Sequence, residues 1–185
     1  MKESYQEAVE RFKAAGASHR FIKKLKSLNS WDEFFSHPRV SEWAYWYAKN
    51  VLEDRWPEAE PVIANSDYWS YLYAKYMIRD RFLEGEPVIC RSSRYAYYYA
   101  KDIIQGRWPE GESVIARSSI DAYHYALDVI KGRFPEGERA IMRSPEWIYL
   151  YALNIIRGPW PEAEPRIARD DFWWTRYLQD IQREE

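Results

Sequence analysis

The chain has 185 residues, 30% of them charged, and a formal net charge of −2. That near-balance excludes a global electrostatic pull toward nucleic acid or an anionic membrane. A single cysteine, Cys90, excludes an internal disulfide, and no apolar run reaches the roughly 20 residues that a membrane-crossing helix needs.

The opening residues lack the apolar core of a signal peptide. Residues 5–15 predict an amphipathic helix, Gly16 its stop, and residues 18–28 a second helix, so that 1–29 form an N-terminal capping hairpin. Lys2, Arg11, Lys13, Arg20, Lys23, Lys24 and Lys26 stand there against Glu3, Glu7 and Glu10. This excess admits two readings. One is a solvated cap. The other is a helix-turn-helix in which Arg20, Lys23, Lys24 and Lys26 contact an anion or nucleic acid.

Residues 30–181 read as a repeat array. Ser30-Trp31-Asp32-Glu33 predicts a capping box opening a degenerate first unit, with Phe34 and Phe35 roughly where later copies hold Val-Ile. The tag Trp56-Pro57-Glu58-Ala59-Glu60-Pro61-Val62-Ile63-Ala64 returns 26 residues later from Phe82, then from Trp108, Phe134 and Trp160. Between tags stands Tyr-x-Tyr-Ala, beginning at Tyr45, Tyr71, Tyr97, Tyr123 and Tyr149. A fixed period of this size predicts stacked copies of one small unit, about five of them regular.

One unit, 106–131, shows the logic. Gly106, like Gly132 and Gly158, suits the left-handed position closing the preceding helix. Pro109-Glu110-Gly111-Glu112 turns into a short helix whose core peg is Ile115, in a column with Ile63, Ile89, Ile141 and Ile167. Ser118 is an N-cap, as are Ser66, Ser92, Ser144 and Asp170 in its column. A second helix runs to about Lys131 with Tyr123, Tyr125, Ala126, Val129 and Ile130 on one face. Cys90 sits in a column of alanines and predicts a small buried thiol. The expected fold is all-α: an α-solenoid of tandem 26-residue αα-hairpins with an N-terminal helical cap and a polar tail at 182–185.

The tags at 55–64 and 95–104 resemble those of a group of uncharacterised short helical-repeat proteins associated with bacteriophage and related viral genomes. The resemblance covers about residues 43–181. It implies a viral origin and this fold, and carries no catalytic motif.

The candidate chemistry follows. His19, His37 and His124 stand in different contexts, so no converging ligand pair predicts a metal, and no cofactor is expected. The Arg column (Arg55, Arg81, Arg107, Arg133) beside two Glu columns predicts a structural ladder, with an anion-binding stripe as the alternative. Identical pairs repeated in every copy argue against catalysis, so the chain is read as a non-enzyme. The variable column Trp46, Leu72, Tyr98, His124 and Leu150, with the non-repeated Trp69, Trp147 and Trp173, is the candidate partner-binding face. Two functions follow: a cytoplasmic protein-binding module, whose partner is a host protein if the origin is viral, or a nucleic-acid binder using the basic hairpin and aromatic faces.

Overall fold

In the computed structural model, which describes residues 3–181, every regular element among those residues is helical. Lys2 and the expected polar tail at 182–185 lie outside them. Backbone contacts divide the chain into two units, Met1–Ile89 and Cys90–Glu185.

The first unit begins with α1, Tyr5–Ala14. Its start is a reciprocal capping box: the Ser4 hydroxyl accepts the Glu7 N–H, and the Glu7 carboxylate accepts the Ser4 N–H at 2.8 Å. Gly16, at φ 85°, closes the turn. Helix α2, His19–Lys26, follows a Ser18 cap, and α3, Trp31–Phe35, follows Ser30. The box expected at Ser30 is only half formed. Ser30 Oγ accepts the Glu33 N–H at 3.2 Å, but the Glu33 carboxylate reaches one residue further back and accepts the Asn29 N–H at 3.0 Å. Phe34 is fully buried among Phe12, Trp43 and Trp56, whereas Phe35 is half-buried, so one ring and not two serves as the core peg. Helices α4 (Val40–Tyr47), α5 (Glu60–Ile63), α6 (Asp67–Tyr73) and α7 (Glu86–Ile89) complete the unit.

The second unit holds α8 (Ser93–Tyr99), α9 (Pro109–Ile115), α10 (Ser119–His124), α11 (Pro135–Ile141), α12 (Pro145–Tyr151), α13 (Glu164–Ile167) and α14 (Asp171–Asp180). The same devices start helices in both units. Ser66, Ser92, Ser118 and Asp170 accept the N–H three residues on, which satisfies a donor the helix itself cannot. Ser144 occupies the same place without that bond. Ile63, Ile89, Ile115, Ile141 and Ile167 are all fully buried.

The long helices end differently from the sequence expectation. They widen into π-helical turns at Ala48–Leu52, Ala74–Ile78, Ala100–Ile104, Tyr125–Ile130 and Ala152–Ile156. The left-handed residue that follows is Glu53, Arg79, Gln105, Lys131 or Arg157, with φ between 55° and 58°. The glycine column, expected to hold this conformation, lies one residue later and does not adopt it. The wider turn accounts for the shift. An alanine carbonyl, at the first residue of the turn or, for Ala126, the second, accepts the N–H of the left-handed residue five positions on (Arg79 to Ala74, 2.7 Å), and also that of the next residue (Gly106 to Ala100, 3.3 Å). A second set of glycines is not a set of helix stops at all. A Cβ on Gly137 would lie 2.5 Å from Phe134 Cδ1 and 2.8 Å from Ala122 Cβ, so the residue is small to let the tag ring lie flat.

Candidate functional site

Two tyrosine columns and the Arg–Glu columns form a repeated polar relay. Tyr125, fully buried, accepts the Trp108 N–H at 2.8 Å and donates to Glu112 Oε1 at 2.9 Å. Arg107 grips the same carboxylate with two bonds of 2.8 Å. Tyr73 with Glu60 and Arg55, and Tyr151 with Glu138 and Arg133, repeat the arrangement. Arg81 forks onto Glu86 at 2.7 Å in the same way. In the last copy Pro159 removes the arginine, yet Tyr177 still donates to Glu164 at 3.1 Å and accepts the Trp160 N–H. The ring of each tyrosine packs on the next tag: Tyr125 lies 5.1 Å from Phe134 and Tyr151 lies 5.0 Å from Trp160. The Arg fork holds the Glu112 carboxyl below its ordinary range, against the opposing effect of burial and with help from Tyr125. These arginines are therefore committed to carboxylates of their own turn.

In the second unit the first tyrosine of each pair bonds to a residue 31 positions further on instead. Tyr149 donates to Asp180 at 2.8 Å, Asn154 donates to Tyr123 at 3.0 Å, and Tyr97 bonds Asp128, which Lys101 also holds at 2.8 Å. Trp147 packs at a tilt against Tyr123 with centroids 5.2 Å apart, Trp173 against Tyr149 at 5.4 Å, and Trp69 against Tyr45 at 5.3 Å. The three tryptophans proposed for partner binding thus already pack against a repeated ring on one side, and all are half-buried.

The variable column is placed unevenly. Tyr98 is exposed, while Leu72, His124 and Leu150 are half-buried. His124 comes within 6.1 Å of Trp147 and 5.2 Å of Tyr123, so these aromatics form one cluster in the second unit. Trp46 is covered by the cap: Phe12 stacks on it at 5.5 Å and Phe21 meets it edge-on at 6.1 Å. Cys90, expected buried, is half-buried, because its side of the turn is only partly covered; its Sγ lies 3.5 Å from the Glu110 carbonyl.

A cavity of the first unit lies where the cap meets α4, with a volume of about 680 Å³. The 16–18 turn forms one wall and Arg20, Phe21 and Lys24 of α2 another. His37, Arg39, Glu42, Trp43 and Trp46 form the floor and the far wall. Arg39 is paired with Glu42 at 2.7 and 2.9 Å, and His37 stacks on Trp43 with centroids 3.9 Å apart. Burial, then the charges of Lys24 and Arg39, push the His37 pKa down. Of the four basic cap residues, Arg20 and Lys24 enter this cavity; Lys23 is exposed elsewhere, and Lys26 pairs with Glu10 at 3.2 Å. Sequence reasoning did not single out Phe21, Arg39 and Trp43 for this site, and treated His37 as isolated.

The cap also completes the relay. Counting back 26 residues from Arg55 and Glu60 gives Asn29 and Phe34, which can do neither job. Tyr47 instead donates to Glu3 at 2.7 Å, and Arg11 pairs with Glu3 at 3.3 Å. The cap therefore returns, from another segment, the two charges that the degenerate unit lacks. The empty register at 29 and 34 was the readable signal.

Among the described residues no group of three or more His, Cys, Asp or Glu comes together as metal ligands do, and no helix is long and apolar enough to cross a membrane. No family model, curated protein or solved structure matches the chain.

Proposed function

We propose that the chain is an α-solenoid of tandem 26-residue αα-hairpins that works as a non-enzymatic, protein-binding scaffold. One observation carries this reading: the repeated Arg, Glu and Tyr side chains are consumed by internal bonds, whereas Tyr98, His124 and Leu150 on the variable face keep open surface. Surface left free of stacking duty is where specificity resides in repeat proteins, and aromatic side chains dominate binding hot spots. The resemblance to phage-associated repeat proteins makes a host protein in the cytoplasm, such as a defence component, the partner to try first.

The test is affinity capture from host lysate with the wild-type chain and with Tyr98→Glu and Leu150→Glu, alongside melting temperatures. Capture lost with folding retained supports the face. Capture unchanged by both substitutions refutes it, and loss of folding assigns the column to the core.

A further inference from the structure

We propose that the cavity between the cap and α4 binds a nucleoside monophosphate, its base on the aromatic wall and its phosphate between Arg20 and Lys24. This is a second site, which shares only Trp46 with the variable column.

The argument begins with charge. Arg20, Lys24 and Arg39 all line the cavity, and Glu42 is the one acid among its lining residues. Glu42 is already forked by Arg39. Arg20 and Lys24 are exposed and have no ion-pair partner among the described residues. The cavity is therefore lined by two exposed cations that have no ion-pair partner among the described residues. An anion with several acceptor oxygens answers both, and guanidinium and ammonium donors suit phosphate.

Shape gives the rest of the ligand. About 680 Å³ falls inside the usual range of small-molecule sites, far more than a bare phosphate fills. Besides the 16–18 turn, the remaining lining is aromatic: Phe21, His37, Trp43 and Trp46, of which Phe21, His37 and Trp46 are only half-buried. His37 is held toward its neutral form and lies against Trp43, which makes it a flat stacking surface and not a third cation. A planar ring joined to an anion matches this division, and every nucleobase offers a π-face. The nucleotide can be free or the 5′ end of a single strand, since both present the same base and phosphate.

The experiment titrates the full chain with AMP and GMP, read by tryptophan fluorescence and calorimetry at low salt. Adenosine, inorganic phosphate and phenyl phosphate serve as comparison probes. One saturable site is expected, with each mononucleotide binding about tenfold or more tighter than adenosine or phosphate alone. The exposed pair Arg20→Ala, Lys24→Ala should weaken binding about tenfold or more at unchanged melting temperature. Tighter and more salt-sensitive binding of a short 5′-phosphorylated single strand assigns the site to a strand end; equal or weaker binding assigns it to the free nucleotide. The proposal fails if no mononucleotide saturates by about 10 mM, an affinity of under about 3 kcal/mol. It also fails if the double variant binds as wild type, or if phenyl phosphate binds as tightly as AMP.

Discussion

Replacing Tyr125 with phenylalanine deletes one oxygen and leaves the ring against Phe134 in place, so it isolates the relay from packing. The hydroxyl is fully buried and serves two partners, the Trp108 N–H at 2.8 Å and the Glu112 carboxylate at 2.9 Å. Without it the Trp108 N–H has no acceptor, and a buried donor left unpaired costs about 1–3 kcal/mol. Glu112 retains its Arg107 fork and loses one donor, which adds about 1 kcal/mol. The total is about 2–4 kcal/mol. At the 2–4 °C per kcal/mol usual for a chain of this size, the midpoint falls by about 4–16 °C. The control is Tyr149→Phe, whose hydroxyl meets the exposed Asp180 and should cost under about 1 kcal/mol. Urea and thermal melts of both variants decide the matter. Equal losses in the two, or a loss under about 0.5 kcal/mol at Tyr125, would refute the relay as a source of stability.

Other outcomes follow from the same geometry. Ile115→Ala should lose about 2–5 kcal/mol in urea melts, because the side chain is fully buried. The Glu112 carboxyl is depressed below its ordinary 4.5 in the folded state, so its stabilisation is complete above that pH and disappears as pH falls through the lower folded value. Acid melts of Glu112→Gln should lack this component and converge on wild type at the acid end. Lys131→Gly should raise the melting temperature slightly because Lys131 holds φ 57°, and Gly132→Ala, with open space around its Cβ, should be harmless. If the sequence-based placement of the left-handed residue at Gly132 were right, those two results would be exchanged. Glu3→Ala and Tyr47→Phe should be strongly non-additive in a double-mutant cycle, since each removes the same 2.7 Å bond.

Features that depend on one position recurring every 26 residues were legible in the sequence. The Ile pegs and, except at Ser144, the Ser caps repeat their chemistry along with their spacing, so a column is enough to read them. The helix ends were not legible in this way. Gly106, Gly132 and Gly158 carry the usual stop signal, but a π turn inserts one residue of register, and periodicity cannot distinguish five-residue from four-residue hydrogen bonding within one turn. The relay was legible only in part. Adjacent Arg and Glu columns announced a ladder, but the tyrosine hydroxyl joins it from 13 residues away, brought there only by the packing of one helix on the next.

The cavity was the least legible feature, and the reason is instructive. Its residues come from the cap and the degenerate unit, which lie outside the regular copies, and from α4, whose Trp43 and Trp46 stand in phase with Trp69 and Leu72, so no single column gathers them. A column read every 26 residues shows only what recurs, so a site assembled once from several segments leaves no periodic signal. That same reasoning applies to Glu3. The degenerate unit gave up both charges of its relay, and the cap that restores them at Tyr47 also brings Phe12 and Phe21 against Trp46. The residues that hold the cap in place and those that shape the cavity are therefore neighbours on the same helices. A cap needed only for solubility would be satisfied by a polar outer face. Here Arg20 and Lys24 instead line a concave surface beside the half-buried rings of Phe21, His37 and Trp46, without ion-pair partners among the described residues.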